Sequence, residues 1–255
     1  MKKNKILRLA SVMLMLCLIT TCAISGTFAK YTTSGTVNDS ARVAKWGVTF
    51  TVANVTDPTD GTTNLFADTY KNDAVIGETA INAGVSIDSA DSAKVIAPGE
   101  EQSVKLTIAG TPEVALKLDV TAAVTLTGWT IDSSEFYCPI IFKVQVGSGA
   151  AVEVKADAST VKTAALLEEA LEKAIVKAIL GLEDSAVPAA ADSKVTKSVD
   201  YTANSTLDKE ITISWDWDYT ATGTYQTDAK DTKLGDLSTA PVLAIDVDLT
   251  ATQID

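Results

Sequence analysis

The sequence predicts a mostly β protein: a two-sheet antiparallel sandwich interrupted by one helical insertion. Three observations carry that reading. Apolar residues fall at every second position in several separate stretches, the mark of strands with one buried and one wet face. Proline- and glycine-containing turns separate those stretches. A single segment near residues 160–182 changes to helical spacing. Many short alternating strands with one helix point to two packed antiparallel sheets.

The chain begins with a basic stretch (Lys2, Lys3, Lys5, Arg8) followed by a nearly uncharged apolar run, Leu9 to Ile24. Thr27-Phe28-Ala29 then places small residues at −3 and −1 of a cut after Ala29, the pattern of a signal peptidase site. Residues 1–29 are therefore expected to be a signal peptide, with Lys30 as the first mature residue. A retained anchor is the alternative, but the apolar run is shorter than the ~20 residues that a span needs. A lipoprotein cut before Cys22 is disfavoured by Thr21.

Residues 30–45 form an N-terminal arm that begins polar and Thr/Ser-rich, with Lys30, Tyr31, Thr32, Thr33 and Gly35 at its start. The β-domain follows, over residues 46–255. Trp46, Val48, Phe50 and Val52 alternate with small or polar residues and predict its first strand. Asp57 to Gly61 is a turn; residues 65–93 are hard to assign, with short strands expected at Val75-Ile76 and Val85-Ser86-Ile87. Ala97-Pro98-Gly99-Glu100 is a sharp turn, and Val104, Leu106 and Ile108 alternate behind it. After Gly110-Thr111-Pro112, the positions Val114 to Leu126 give the longest strand signal, with a bend or bulge expected at Ala122-Ala123. Phe142, Val144 and Val146 predict another strand.

Thr160 to Leu182 breaks the pattern. Leu167, Leu171, Ile175, Ile179 and Leu182 recur at helical spacing, with Ser159 or Thr160 as cap and Gly181 near the end. Its polar face mixes acids and bases, which favours packing on the sheets over lying on a membrane. Residues 185–205 read as a small-residue connection, and Asp228 to Asp236 as an acidic loop; the structure of residues 183–206 is not assigned from sequence. Ile211, Ile213, Trp215, Trp217 and Tyr219 form one face of a strand, as do Leu243, Ile245, Val247, Leu249 and Ala251 of the last one.

Charge and residue usage narrow the function. The sequence has 21 basic and 33 acidic residues; losing a leader with four basic residues and no acidic one takes the net charge from −12 to −16. Such a surface repels nucleic acid and anionic lipid, so neither is an expected partner. Cys138 is the lone cysteine outside the leader, and its apolar neighbours predict a buried, inert thiol. Histidine is absent, which excludes Ser-His-Asp and Cys-His catalysis and His-based zinc sites. A glycosidase would need two placed carboxylates, for which no motif stands out. No enzymatic activity is expected.

Two binding sites are weighed. Trp215 and Trp217 could form a sugar platform, but sharing a face with Ile211 and Ile213 makes them core residues first. Asp216, Asp218, Asp228 and Asp231 could hold Ca²⁺ through hard oxygen ligands, although their spacing is not that of an EF-hand. No other cofactor is expected.

Several patches carry a family resemblance. Gly26-Thr27-Phe28-Ala29-Lys30-Tyr31 resembles the cleavage region of proteins processed by the SipW-type signal peptidase. Pro98-Gly99-Glu100 with Gly110 to Ala115, Ile213 to Asp218 with Asp231-Thr232-Lys233-Leu234-Gly235, and Leu249 to Asp255 resemble the TasA/camelysin family of Gram-positive biofilm-matrix proteins. The resemblance implies a jelly-roll sandwich, exported and assembled into extracellular fibres with copies of itself or related matrix subunits. Camelysins have been classed with metallopeptidases, but no H-E-x-x-H occurs here. The expected function is thus a secreted structural protein of the cell surface or matrix. Its arm would add to an open sheet edge of the next subunit, a proposal favoured by the lack of an LPxTG-type signal after the last strand. The alternatives are a disordered tail for the arm, and for the whole chain a monomeric surface- or carbohydrate-binding module.

Overall fold

A computed structural model describes residues 42–54, 65–66, 94–217 and 225–254, together with the two-residue strands Thr69–Tyr70, Val75–Ile76, Thr79–Ala80 and Ile87–Asp88. The signal-peptide assignment, the cut at Ala29 and Lys30, and the arm residues Tyr31, Thr32, Thr33 and Gly35 lie outside the described residues, as does the proposed strand start at Val85-Ser86. One compact unit spans Ala44–Asp255.

The described chain is mostly β. Its principal strands are β1 (Val48–Asn54), β2 (Glu101–Gly110), β3 (Leu116–Thr127), β4 (Ile141–Val146), β5 (Val152–Lys155), β6 (Val195–Tyr201), β7 (Leu207–Asp216) and β8 (Val242–Gln253). Two helices accompany them: α1 (Ala164–Leu180) and α2 (Asp228–Gly235). Five strands form one antiparallel sheet in the order β1-β2-β7-β4-β5, and three form another in the order β6-β3-β8.

Period-2 burial builds the core. Val104, Leu106 and Ile108 of β2, Ile211, Ile213 and Trp215 of β7, and Phe142 and Val144 of β4 are buried from the larger sheet. Leu116 through Leu126 supply every second residue from β3, the middle strand of the smaller one. These residues and the apolar stripe of α1 belong to a single hydrophobic cluster. The Pro98-Gly99 turn forms as expected: Glu100 N–H donates to Ala97 C=O, and Gly99 takes φ +89°.

The structure corrects several sequence expectations. No bulge interrupts β3, because β8 pairs with it in unbroken register from Leu116 to Thr127. That strand also begins at Leu116 rather than Val114. The cap of α1 is Thr163, whose Oγ1 accepts from Leu166 N–H; Ser159 and Thr160 are instead held by the Asp157 carboxylate in the preceding loop. At the other end, Gly181 adopts the left-handed conformation, and the N–H groups of Gly181 and Leu182 both donate to Lys177 C=O. The 185–205 connection contains strand β6, and the Asp228–Asp236 stretch contains helix α2, so the described residues hold two helices where one was expected.

Helix α1 packs mainly against β3, β4, β5, β6 and β7, strands drawn from both sheets. Leu167, Leu171, Ile175 and Ile179 are fully buried, so the stripe faces protein and not a membrane surface. No helix among the described residues is long and apolar enough to cross a membrane.

Candidate functional site

Two edges of the sheets stand out, because each carries core-facing side chains that are left partly uncovered. In the larger sheet, β1 pairs along its full length with β2 and has no second partner strand among the described residues. Phe50 lies opposite Ile108 and Val52 opposite Leu106, so both project to the core side. Ile108 is fully buried there, yet Phe50 and Val52 remain 38% and 40% exposed. The apolar face therefore continues past the material that covers it.

In the smaller sheet, β8 pairs only with β3 among the described residues. Leu243, Ile245, Val247, Leu249 and Ala251 sit opposite buried β3 residues but are only half-buried themselves. On the opposite side of β3 the situation differs. Strand β6 ends its pairing at Val195–Ala122, five residues before β3 ends. There the helix takes over: Glu172 Oε1 accepts from Val124 N–H at 2.9 Å, and Glu168 Oε1 from Leu126 N–H at 2.7 Å. Carboxylates four residues apart on α1 thus replace a strand at that edge. The edges of β1 and β8 have no such substitute and no second partner strand among the described residues, and an edge of that kind can accept another strand.

Glu113 ties down the chain leading into β1. Glu113 N–H donates to Lys45 C=O, and Lys45 N–H donates back to the Glu113 carboxylate at 2.8 Å. Immediately before that contact, Val43 is 91% exposed.

Of the four aspartates considered for calcium, Asp216, Asp228 and Asp231 are described. Asp216 on β7 approaches Lys143 across the β4 ladder at 3.7 Å. Asp231 accepts the Tyr137 hydroxyl at 2.6 Å, and Asp228 lies in the first turn of α2, while Asp218 lies outside the described residues. Among the described residues no group of three or more metal-binding side chains forms.

The tryptophans do not form a platform. Trp215 is 1% and Trp217 6% exposed. Trp215 Nε1 donates to Leu65 C=O at 2.8 Å, and its ring lies 5.9 Å from that of Phe66. Cys138 is buried, and desolvation pushes its thiol up to about 12, which leaves little thiolate at neutral pH.

An aromatic cluster that sequence patterning did not single out surrounds α2. The Tyr137 and Tyr225 rings lie 5.5 Å apart, and Lys230 sits over both while pairing with Glu135. Burial, then the Asp231 hydrogen bond, raises the Tyr137 phenol; burial pushes Tyr225 up to about 12. Both phenols stay protonated at neutral pH, so the cluster anchors α2 and offers no ready base. No family model matches the chain, and no curated protein matches it.

Proposed function

We propose that this chain is a secreted, non-enzymatic structural subunit of the cell surface or biofilm matrix. In this reading it is related to the TasA/camelysin proteins, with its sheets arranged as a jelly-roll-like sandwich and its subunits joined into fibres by strand addition. The observation that carries the proposal is the half-exposed core face at β1 and β8. Phe50 and Val52 project on the same side as the fully buried Ile108 but lack its cover. A strand added at either edge would satisfy unpaired backbone groups and bury that apolar surface together.

The N-terminal arm is the proposed donor. Residues 30–45 include Thr32, Thr33 and Thr36, which tolerate an extended backbone. A donor strand gains affinity from main-chain hydrogen bonds, which a Thr-rich segment supplies without a strong apolar pattern of its own.

Size-exclusion chromatography and negative-stain microscopy of the Lys30–Asp255 protein test the reading. Oligomers and fibres are expected, and deletion of Lys30 to Ser40 should leave a folded, strand-rich monomer. A full-length mature chain that stays monomeric at high concentration would overturn the proposal.

A further inference from the structure

A cavity of about 850 Å³ lies between α1 and the β4–β5 hairpin. One wall consists of Val144, Val152 and Val154; the hairpin register pairs Val144 with Val152 and Phe142 with Val154. The other wall is Ala170, Ala174 and Ala178, one helical turn apart along α1. The space exists because the long side chains of the helix, Leu171 and Ile175, belong to the core stripe, whereas the face toward the hairpin presents the methyl groups of the three alanines, flanked by Lys173 and Lys177. Val146 and Val152 at its mouth are left 46% and 49% exposed. This volume and the apolar walls suit a small-molecule pocket, and charged residues, among them Lys173, Lys177, Asp184, Asp208, Lys209 and Glu210, complete its lining.

The charged groups on its rim decide what kind of molecule fits. Lys177 is held by Asp184 at 2.6 Å, Lys173 by Glu169 at 2.8 Å, and Glu210 by Lys105 at 3.0 Å. Lys209 differs. Its Nζ donates to Ile179 C=O at 2.9 Å and to Tyr201 Oη at 3.2 Å, both neutral, and no carboxylate among the described residues forms an ion pair with it. An ammonium has three donors, so one remains for an anionic acceptor. Lys209 is half-buried whereas its neighbour Asp208 is exposed, so the cation is the less hydrated of the two.

From Ala170 to Ala178 the alanine wall rises by eight residue steps, about 12 Å along the helix axis. We infer that this cavity binds a medium-chain alkyl carboxylate. Its chain lies between the alanines of α1 and the valines of the hairpin, and its carboxylate pairs with Lys209 beside the C-terminal end of the helix. The site is separate from the β1 and β8 edges and does not depend on strand addition.

Isothermal titration of the full chain with sodium decanoate tests the inference, with decanol and decyltrimethylammonium as comparison ligands. Saturable one-to-one binding of decanoate is expected. Ala174→Phe, which fills the cavity, should weaken it at least tenfold with the far-UV circular dichroism unchanged. Lys209→Met keeps the apolar stem and should weaken decanoate at least fivefold while leaving decanol unaffected. Val152→Asp at the half-exposed mouth provides a second route should Ala174→Phe fail to fold, and it should weaken decanoate at least fivefold. The apolar run near the N-terminus is the same in every variant, so differences among them report the cavity. Absence of saturable binding, equal affinity for decyltrimethylammonium, or folded cavity variants that bind like the wild type would each overturn the inference.

Discussion

Glu172 accepts the Val124 N–H through Oε1, while its Oε2 is buried with no hydrogen-bond partner among the described residues. The carboxylate is thus useful on one side and costly on the other. It closes the β3 edge beyond the end of β6, but it does so as a desolvated acid near Glu168 and Glu169. Burial is the main cause that raises its pKa above the ordinary value. The Val124 hydrogen bond opposes that shift, and the two neighbouring acids add to it.

The pH dependence of stability follows from that balance. A carboxyl whose folded value exceeds its unfolded value favours the fold while protonated. This contribution is full below the unfolded value of about 4.3 and is lost as pH rises through the raised folded one. Glu172→Gln keeps an oxygen for Val124 and has no charge to bury. Urea titrations from pH 5 to 8 should therefore show the variant gaining stability relative to wild type as pH rises. A difference that does not change with pH would mean that Glu172 has an ordinary acidity in the fold.

The paired tryptophans make a contrast that a single alanine substitution would hide. Either Trp→Ala change should cost about 3–5 kcal/mol, as expected for a large buried aromatic. Replacement by phenylalanine separates them. Trp215→Phe loses the hydrogen bond to Leu65 C=O and orphans that acceptor, whereas Trp217 Nε1 is buried with no partner among the described residues. Trp217→Phe should thus be the milder change, by about 1 kcal/mol. Denaturant midpoints check the order, and a reversed order would mean that the Leu65 contact contributes nothing.

Why some elements could be read from sequence and others could not comes down to how much of each one touches the core. Strands β2, β3, β7 and β8 put three or more apolar residues on one face, and α1 repeats a buried residue almost every turn, so periodicity found them. Strand β6 buries Val195 alone, and α2 buries Leu234 alone, which leaves no period to detect. For α2 a local signal did exist: Thr227 caps it and Asp228 and Asp231 occupy its first turn, the acids that had suggested a calcium loop. The burial of the tryptophans followed from strand alternation. Uncovered edges and the cavity could not, because both depend on which strands become neighbours, and long-range pairing leaves no mark in a local pattern.

Gly110 and Gly47 bring two backbones together where β1 begins. Gly110 ends β2 with φ +139°, a region that side chains other than glycine rarely adopt. A Cβ built there would lie 1.8 Å from Gly47 C=O and 2.9 Å from its carbonyl carbon. Both atoms are backbone, so no rotamer change can relieve the clash. Gly47 is also in the left-handed region at φ +63°, but a Cβ there would meet its nearest atom, Thr111 C=O, at 3.4 Å. The two glycines therefore differ in kind: Gly47→Ala bears mainly conformational strain, about 1–2 kcal/mol, whereas Gly110→Ala must also push the chain before β1 away from β2. Gly110→Ala should cost at least about 3 kcal/mol. It should also speed amide hydrogen exchange at Val48 to Val52 more than in β3. Equal losses for the two variants, or exchange unchanged in β1, would mean that the Gly47–Gly110 contact does not hold the first strand in place.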